Sequence, residues 1–89
     1  MRIWGKLMKD NRLVKDYVAC IDDNTMRRTQ KVYAALDEIC TEFDLARPVW
    51  LKVNQEDFIR IARTRFTKDN FMESIDFDYL DFHVIEEDY

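Results

Sequence analysis

The sequence is short of the residues that form loops, disulfide frameworks and catalytic clusters. Its 89 residues include one Gly, one Pro, one His and two Cys. A single Gly excludes a Gly-rich phosphate-binding loop and long flexible linkers. Two Cys are too few for a disulfide scaffold. No apolar run approaches the roughly 18 residues of a membrane span, and the N-terminus lacks the apolar segment of a secretory signal. We therefore expect a cytoplasmic protein.

What is present favours one small folded domain over residues 1–89. Apolar residues make up 47% of the chain and aromatic residues 13%, which is more than a disordered chain carries. A chain of this length buries enough surface for one core. Cys20 and Cys40 both stand among apolar residues, so we expect two reduced, buried thiols that act as small hydrophobic side chains.

Charge is segregated along the chain. The net charge of −4 argues against indiscriminate binding to nucleic acid or to an anionic membrane surface. Residues 45–68 hold six basic and two acidic groups (+4), whereas residues 69–89 hold eight acidic groups and no Lys or Arg (−8). A basic stretch is therefore followed directly by an acidic one.

The N-terminal third predicts a β-hairpin. Two apolar-bearing runs flank Asp10-Asn11, and both of these residues tolerate the positive φ that a tight turn needs. Gly5, inside the first run, predicts either a β-bulge or the close approach of another part of the chain.

Two helices are predicted next. Apolar residues recur three and four apart from Val32 to Phe43, which indicates an amphipathic helix of about five turns. Asn24 or Thr25 is its expected N-cap, and Pro48 lies beyond its end. A second, shorter helix is expected to begin at Asn54, with acidic residues in its first turn.

The C-terminal segment predicts strand structure. Apolar and polar residues alternate through 75–84, with a change of phase between Tyr79 and Leu80. Either a β-bulge lies there or residues 75–79 form a separate extended piece, and residues 86–89 are expected to fray. The chain thus predicts an α+β fold: a small antiparallel sheet, made of the N-terminal hairpin and the C-terminal strand or strands, with two helices on one face.

A basic cluster is the candidate site. Its members are Arg60, Arg63, Arg65 and Lys68, and its aromatic neighbours are Trp50, Phe58 and Phe66. Basic groups interleaved with aromatic rings bind phosphates and stack bases. The same arginines can instead form ion pairs with carboxylates of the next segment, namely Asp76, Asp78 and Asp81. We favour the ion pairs, which leave no charged group available for chemistry.

The sequence gives little support for catalysis or metal binding. Asp81 and His83 share a strand face by their spacing, and such a set can ligate Zn²⁺ or Mn²⁺. Acidic residues that alternate with apolar ones are, however, typical of any half-exposed strand. No spacing places a nucleophile beside a base and an orienting group. We therefore expect no metal, no cofactor and no enzymatic activity.

Four segments carry a resemblance to known proteins. They are residues 2–6, 15–19, 63–66 and 75–80. In these segments the chain resembles a group of short uncharacterised bacterial proteins of the kind found in anaerobic Gram-positive gut bacteria, and the likeness covers nearly the whole chain. The resemblance implies a bacterial cytoplasmic protein. Because no activity is assigned to that group, it implies no functional residue.

The functional expectation is a non-enzymatic module that binds another protein or a second copy of itself. Three layers are hard to build from 89 residues and two helices, so one partly bare sheet face, closed by a second copy, is a possible outcome. The alternative is a nucleic-acid-associated protein that uses the basic cluster. In a third reading, the acidic terminal segment imitates phosphates and occupies the basic groove of a DNA-binding enzyme.

Overall fold

The chain begins with the predicted β-hairpin. The computed structural model describes residues 1–88, and its first two strands, β1 (Arg2–Lys9) and β2 (Arg12–Cys20), pair antiparallel. Asp10 and Asn11 join them with φ values of 54° and 61°. These are the left-handed values that a two-residue hairpin turn requires. The turn prediction is confirmed.

Two further strands complete an antiparallel sheet in the order β2-β1-β4-β3. Strand β4 (Tyr79–Glu86) pairs with β1, and the short strand β3 (Arg63–Phe66) pairs with the other side of β4. Residues 75–78 are irregular, so the change of phase marks a separate piece rather than a bulge inside one strand. Strand β3 is not predicted by the sequence, whose pattern indicates only the end of a helix followed by a turn.

Helix α1 (Arg28–Glu42) carries the predicted apolar stripe, but it begins later than its expected cap. Its N-cap is Arg27, so the prediction of Asn24 or Thr25 is wrong. The Arg27 amide donates a hydrogen bond to the side-chain oxygen of Gln30 at 2.8 Å. A residue within the first turn thus provides the hydrogen bond at the start of the helix.

Helix α2 (Lys52–Ile61) begins two residues before Asn54, and its N-cap is Leu51. The prediction that Asn54 caps this helix is therefore wrong. Asn54 accepts a hydrogen bond from the Leu51 amide at 3.0 Å, and its own amide group donates to Thr64 Oγ1 at 2.9 Å and to the Arg65 carbonyl at 3.0 Å. This side chain is buried, and it fastens α2 to strand β3.

Both helices pack on the same face of the sheet, as predicted. Ile39 of α1 lies on Gly5, where a methyl group would come within 2.6 Å of the isoleucine side chain. Phe58 of α2 stacks on Phe82 with ring centroids 5.7 Å apart. Gly5 and Phe82 are register partners, so the two helices share one face. Gly5 therefore marks a close approach and not a bulge. Within residues 1–88, no helix is long and apolar enough to cross a bilayer.

The residues after β4 are held by ion pairs with α1. Glu87 accepts two hydrogen bonds from the Arg28 guanidinium, at 2.9 and 3.1 Å. Asp88 pairs with Lys31, whose side chain is buried. Residues 87 and 88 are thus attached to the helix, contrary to the predicted fraying, and Tyr89 lies outside the described residues.

Candidate functional site: the open face of the sheet

The face of the sheet opposite the helices is not covered by any helix or strand of residues 1–88. We call it the open face and define it by the side chains that the strand register places there. Its members are Leu13, Asp16, Val18 and Cys20 of β2, Arg2, Trp4, Lys6 and Met8 of β1, Tyr79, Asp81, His83 and Glu86 of β4, and Arg63 and Arg65 of β3. The partly bare sheet face considered from the sequence is therefore present.

A row of alternating charges crosses the middle of the open face. Lys6 is the register partner of Asp16 on one side and of Asp81 on the other, and Asp81 is in turn the partner of Arg65. The row therefore reads negative, positive, negative, positive from β2 to β3. Opposite charges at neighbouring cross-strand positions stabilise a sheet. We call these four residues the charged row.

Asp81 has two cationic partners, Arg63 and Lys6. It is 2% exposed, and it accepts hydrogen bonds from Nε and Nη2 of Arg63 at 3.0 and 2.5 Å. Lys6 Nζ lies 3.6 Å from the same carboxylate. Burial by itself raises the pKa of Asp81, but the hydrogen bonds and charge of Arg63, together with Lys6, outweigh it and lower the pKa below its ordinary value. Asp81 therefore stays ionised.

The aromatic rings of the open face are already in contact with cations. Lys6 Nζ lies 4.2 Å from the ring centroid of Trp4, and the Arg65 guanidinium lies 4.5 Å from that of Tyr79. Both distances suit cation–π contacts. The Trp4 indole also donates a hydrogen bond to Asp16 at 2.8 Å. The side chains of this face thus hold one another in place.

Three of the four residues of the predicted basic cluster come together. Arg60, Arg63 and Arg65 line a shallow depression of about 310 Å³ beside β3, together with Asp57. Lys68 lies apart from it, in a single 3₁₀ turn.

Two of these arginines have carboxylate partners. Arg60 pairs with Asp57 at 3.1 Å, within the same helix, and Arg63 pairs with Asp81. Of the three acids proposed as partners, Asp81 is the one that binds an arginine. Asp78 accepts a hydrogen bond from the Asp10 amide instead. Within residues 1–88, Arg65 makes no ion pair.

The cysteines are not arranged as activated nucleophiles. Cys20 is exposed, so the expectation that it is buried is wrong. Its hydrogen bond to Asp22 raises the pKa of the thiol, with a smaller contribution from burial. Burial raises the pKa of Cys40 to about 11. A reactive thiol needs its pKa lowered, and both are shifted the other way. Residues 1–88 contain no group of three His, Cys, Asp or Glu side chains placed to hold a metal ion.

A second concave surface lies on the opposite side of the molecule, between α1 and α2. It has a volume of about 340 Å³, and its walls include Tyr33, Trp50, Phe58 and Ile59. Ile59 is 88% exposed. Arg28 is the charged residue of this groove, and it is already paired with Glu87. The sequence did not predict this groove, because it forms between helices whose relative placement depends on the sheet.

No family model, curated protein or solved structure matches the chain. The resemblance to short bacterial proteins therefore stays a prediction.

Proposed function

We propose that this protein is a non-enzymatic binding module that recognises a protein partner through the open face. The observation that carries the proposal is the open face itself. It presents Trp4, Met8, Val18 and Tyr79 to one side without a covering layer. Sheets with apolar and aromatic side chains on both faces are normally closed by a second layer. A protein partner would supply that layer.

The chemistry of the open face favours a protein over a nucleic acid. Binding of phosphates requires cations in excess of carboxylates, but Arg63 and Lys6 are already engaged by Asp81. Base stacking requires free ring faces, and Lys6 and Arg65 lie over the rings of Trp4 and Tyr79. A partner with both apolar and charged groups fits such a surface better than a polyanion does.

One observation favours the nucleic-acid alternative, and it needs its own test. Arg60, Arg63 and Arg65 line one depression, and Arg65 makes no ion pair within residues 1–88. Affinity for single- and double-stranded oligonucleotides should be measured at increasing salt concentration. Phosphate contacts predict a steep loss of affinity with salt. We expect no binding even at low salt, and a steep slope that disappears in Arg65→Ala would favour the alternative.

The proposed function is tested with two matched surface variants. Val18→Lys places a charge on the open face, whereas Ile59→Lys places one in the groove between the helices. Both positions are exposed, so we expect both variants to fold. We expect Val18→Lys to weaken self-association, or the binding of a partner identified and purified after capture, whereas Ile59→Lys binds like the wild type. Equal binding by the wild type and Val18→Lys would contradict the proposal.

A further inference from the structure

We propose that the partner of the open face is a second copy of this chain, related to the first by a two-fold axis parallel to the strands. This inference rests on the proposed function and deepens it. It derives from the order of charges in the charged row, which runs Asp16, Lys6, Asp81, Arg65 across strands β2, β1, β4 and β3. When a second copy of the row is laid over the first in reverse order, each charge lies opposite a charge of the other sign.

The geometry follows from the sheet order. A two-fold axis that runs along the strands between β1 and β4 turns the second copy face down and reverses its strand order, while each residue keeps its position along the strand direction. Strand β2 of one copy then lies over β3 of the other, and β1 lies over β4. Asp16 faces Arg65 of the second copy, and Lys6 faces Asp81 of the second copy. Asp16 and Arg65 are exposed, so these two residues make the contacts between opposite charges. Asp81 lies beneath Lys6 and Arg63 of its own chain and contributes its charge without direct contact.

The residues on either side of the charged row fit the same arrangement. One flanking row contains Trp4 and His83, which are register partners, and the other contains Met8 and Tyr79. Under the same two-fold axis, Trp4 faces His83 of the second copy and Met8 faces Tyr79 of the second copy. At the outer strands of the first row, Val18 faces Arg63 of the second copy, and this pair does not add to the fit. Sulfur–aromatic contacts are favourable, and Met adapts readily to the shape of its partner. Apolar and aromatic contacts thus flank the central charges.

The charged row also disfavours the other simple arrangement. A two-fold axis that runs across the strands would place β2 over β2 and therefore Asp16 over Asp16 of the second copy, with Arg65 over Arg65. Like charges in contact select against such an alternative. The usual angle of about −30° between packed sheets moves outer strands more than inner ones, so the register above β1 and β4 is the least displaced.

Charge reversal gives a sharp test. In Asp16→Arg, two like-charged pairs form in each homodimer, and the same holds for Arg65→Asp. We expect each variant alone to dimerise at least about tenfold more weakly than the wild type, because two favourable pairs become two repulsive ones. An equimolar mixture of the two variants should recover dimers, because both contacts between unlike copies are again attractive. The double variant should recover them as well.

Sedimentation equilibrium over a range of concentrations measures all of these species. Lys52→Asp, on the exposed surface of α2, is the matched charge-reversal control and should dimerise like the wild type. Circular dichroism checks that each variant folds. Recovery in the mixture supports the two-fold arrangement, and it also shows that neither single variant is misfolded.

Two outcomes separate this inference from the proposed function. In the first outcome, the wild type is monomeric at all concentrations but binds a different protein that Val18→Lys cannot bind. The proposal of a homodimer is then wrong, whereas the proposal that the open face binds a protein partner is supported. If the wild type dimerises and none of the open-face variants changes its dissociation constant, another surface is used and both proposals fail. Weakening by the single variants without recovery in the mixture would overturn the two-fold arrangement.

Discussion

The two faces of the sheet are built from alternate residues of the same strands, yet they are stabilised in different ways. Towards the helices, β1 and β4 place Ile3, Leu80 and Phe82, all with no exposed surface. Towards the open side, the same two strands place Lys6 and Asp81. The first face is held by apolar burial, and the second by charge pairs and cation–π contacts.

The difference shows that burial does not require a covering layer. Asp81 is as buried as most of the core, although no helix lies above it. The long side chains of Lys6 and Arg63 lie against it and exclude water while they keep their own charged ends partly accessible. The open face is therefore an ordered surface with fixed charge positions, which is what recognition by complementary charges needs.

The largest expected effect comes from the helix-covered face. Phe82→Ala should lower the free energy of unfolding by about 3–5 kcal/mol, because it opens a cavity among stacked aromatic rings. Trp4→Ala removes a larger ring from the open face, but it should cost only about 1–2 kcal/mol, mainly the contacts with Lys6 and Asp16. Urea unfolding at low protein concentration measures both. Equal losses would mean that both faces are held by burial alone.

A buried charge on the open face should give the next largest effect. Asp81→Asn leaves Arg63 and Lys6 without their shared carboxylate, and we expect a loss of about 2–3 kcal/mol. The loss is less than for a fully buried pair because the Arg63 side chain is 38% exposed. Arg65→Ala is the control, because this exposed residue contributes one cation–π contact worth at most about 1 kcal/mol. Urea titrations measure the free energy of unfolding of both variants. A smaller loss of this free energy for Asp81→Asn than for Arg65→Ala would show that the ion pairs of Asp81 contribute little.

A third effect probes the contact between α1 and the sheet. Gly5→Ala places a methyl group where only 2.6 Å separates it from Ile39, so it should destabilise the fold by about 1–2 kcal/mol through overpacking. The double variant Gly5→Ala/Ile39→Ala removes that clash, because the atoms nearest to the added methyl group are Cγ2, Cδ1 and Cγ1 of Ile39. We expect thermal unfolding to show a smaller combined loss than the sum of the two single losses. Strict additivity would mean that the two side chains do not interfere.

Local signals were enough to predict most of the fold. The Asp10-Asn11 turn and the spacing of apolar residues in α1 depend only on neighbours in sequence. Strand β3 was not predicted, because it has only four residues and a single residue, Ala62, separates it from α2. Ala62 has a φ of 54°. Ala rarely takes that left-handed conformation, so the sequence gives no sign that the chain reverses there.

The helix caps and the open face depend on information that one segment does not carry. Gln30 and Asn54 both complete a helix start from inside the first turn. The sequence instead predicts a cap before α1, at Asn24 or Thr25, and takes Asn54 itself as the cap of α2. The sequence predicts ion pairs between the basic cluster and the acidic segment, because the two lie close together in the chain. The pair that Arg63 forms with Asp81 is one of these. The charged row was not predicted, because it depends on the register of four strands, and β2 and β3 are far apart in the chain.

The smallest expected effect is a pH dependence that originates on the open face. Burial lowers the pKa of His83, and the positive charge of Arg63 lowers it further. Asp81 opposes this shift by less than Arg63 contributes, and Lys6 adds the smallest lowering effect. On acidification, the unfolded chain therefore binds a proton before the folded chain does, at about pH 6.5. Stability is complete above that pH, declines as the pH falls through it, and levels off below the folded-state pKa.

Carboxylates with lowered pKa values, such as Asp81, Glu87 and Asp88, affect stability only at lower pH. Among the groups whose pKa is shifted, His83 is the one that titrates between about pH 7.5 and pH 5. Urea titrations across this interval should show a shallower decline for His83→Gln than for the wild type. Parallel declines would place the proton uptake elsewhere. In the two-fold dimer, His83 also faces Trp4 of the second copy, so dimer formation buries the imidazole further. At protein concentrations above the dissociation constant of the dimer, the free energy of unfolding should therefore decline more steeply with falling pH than it does in the monomer.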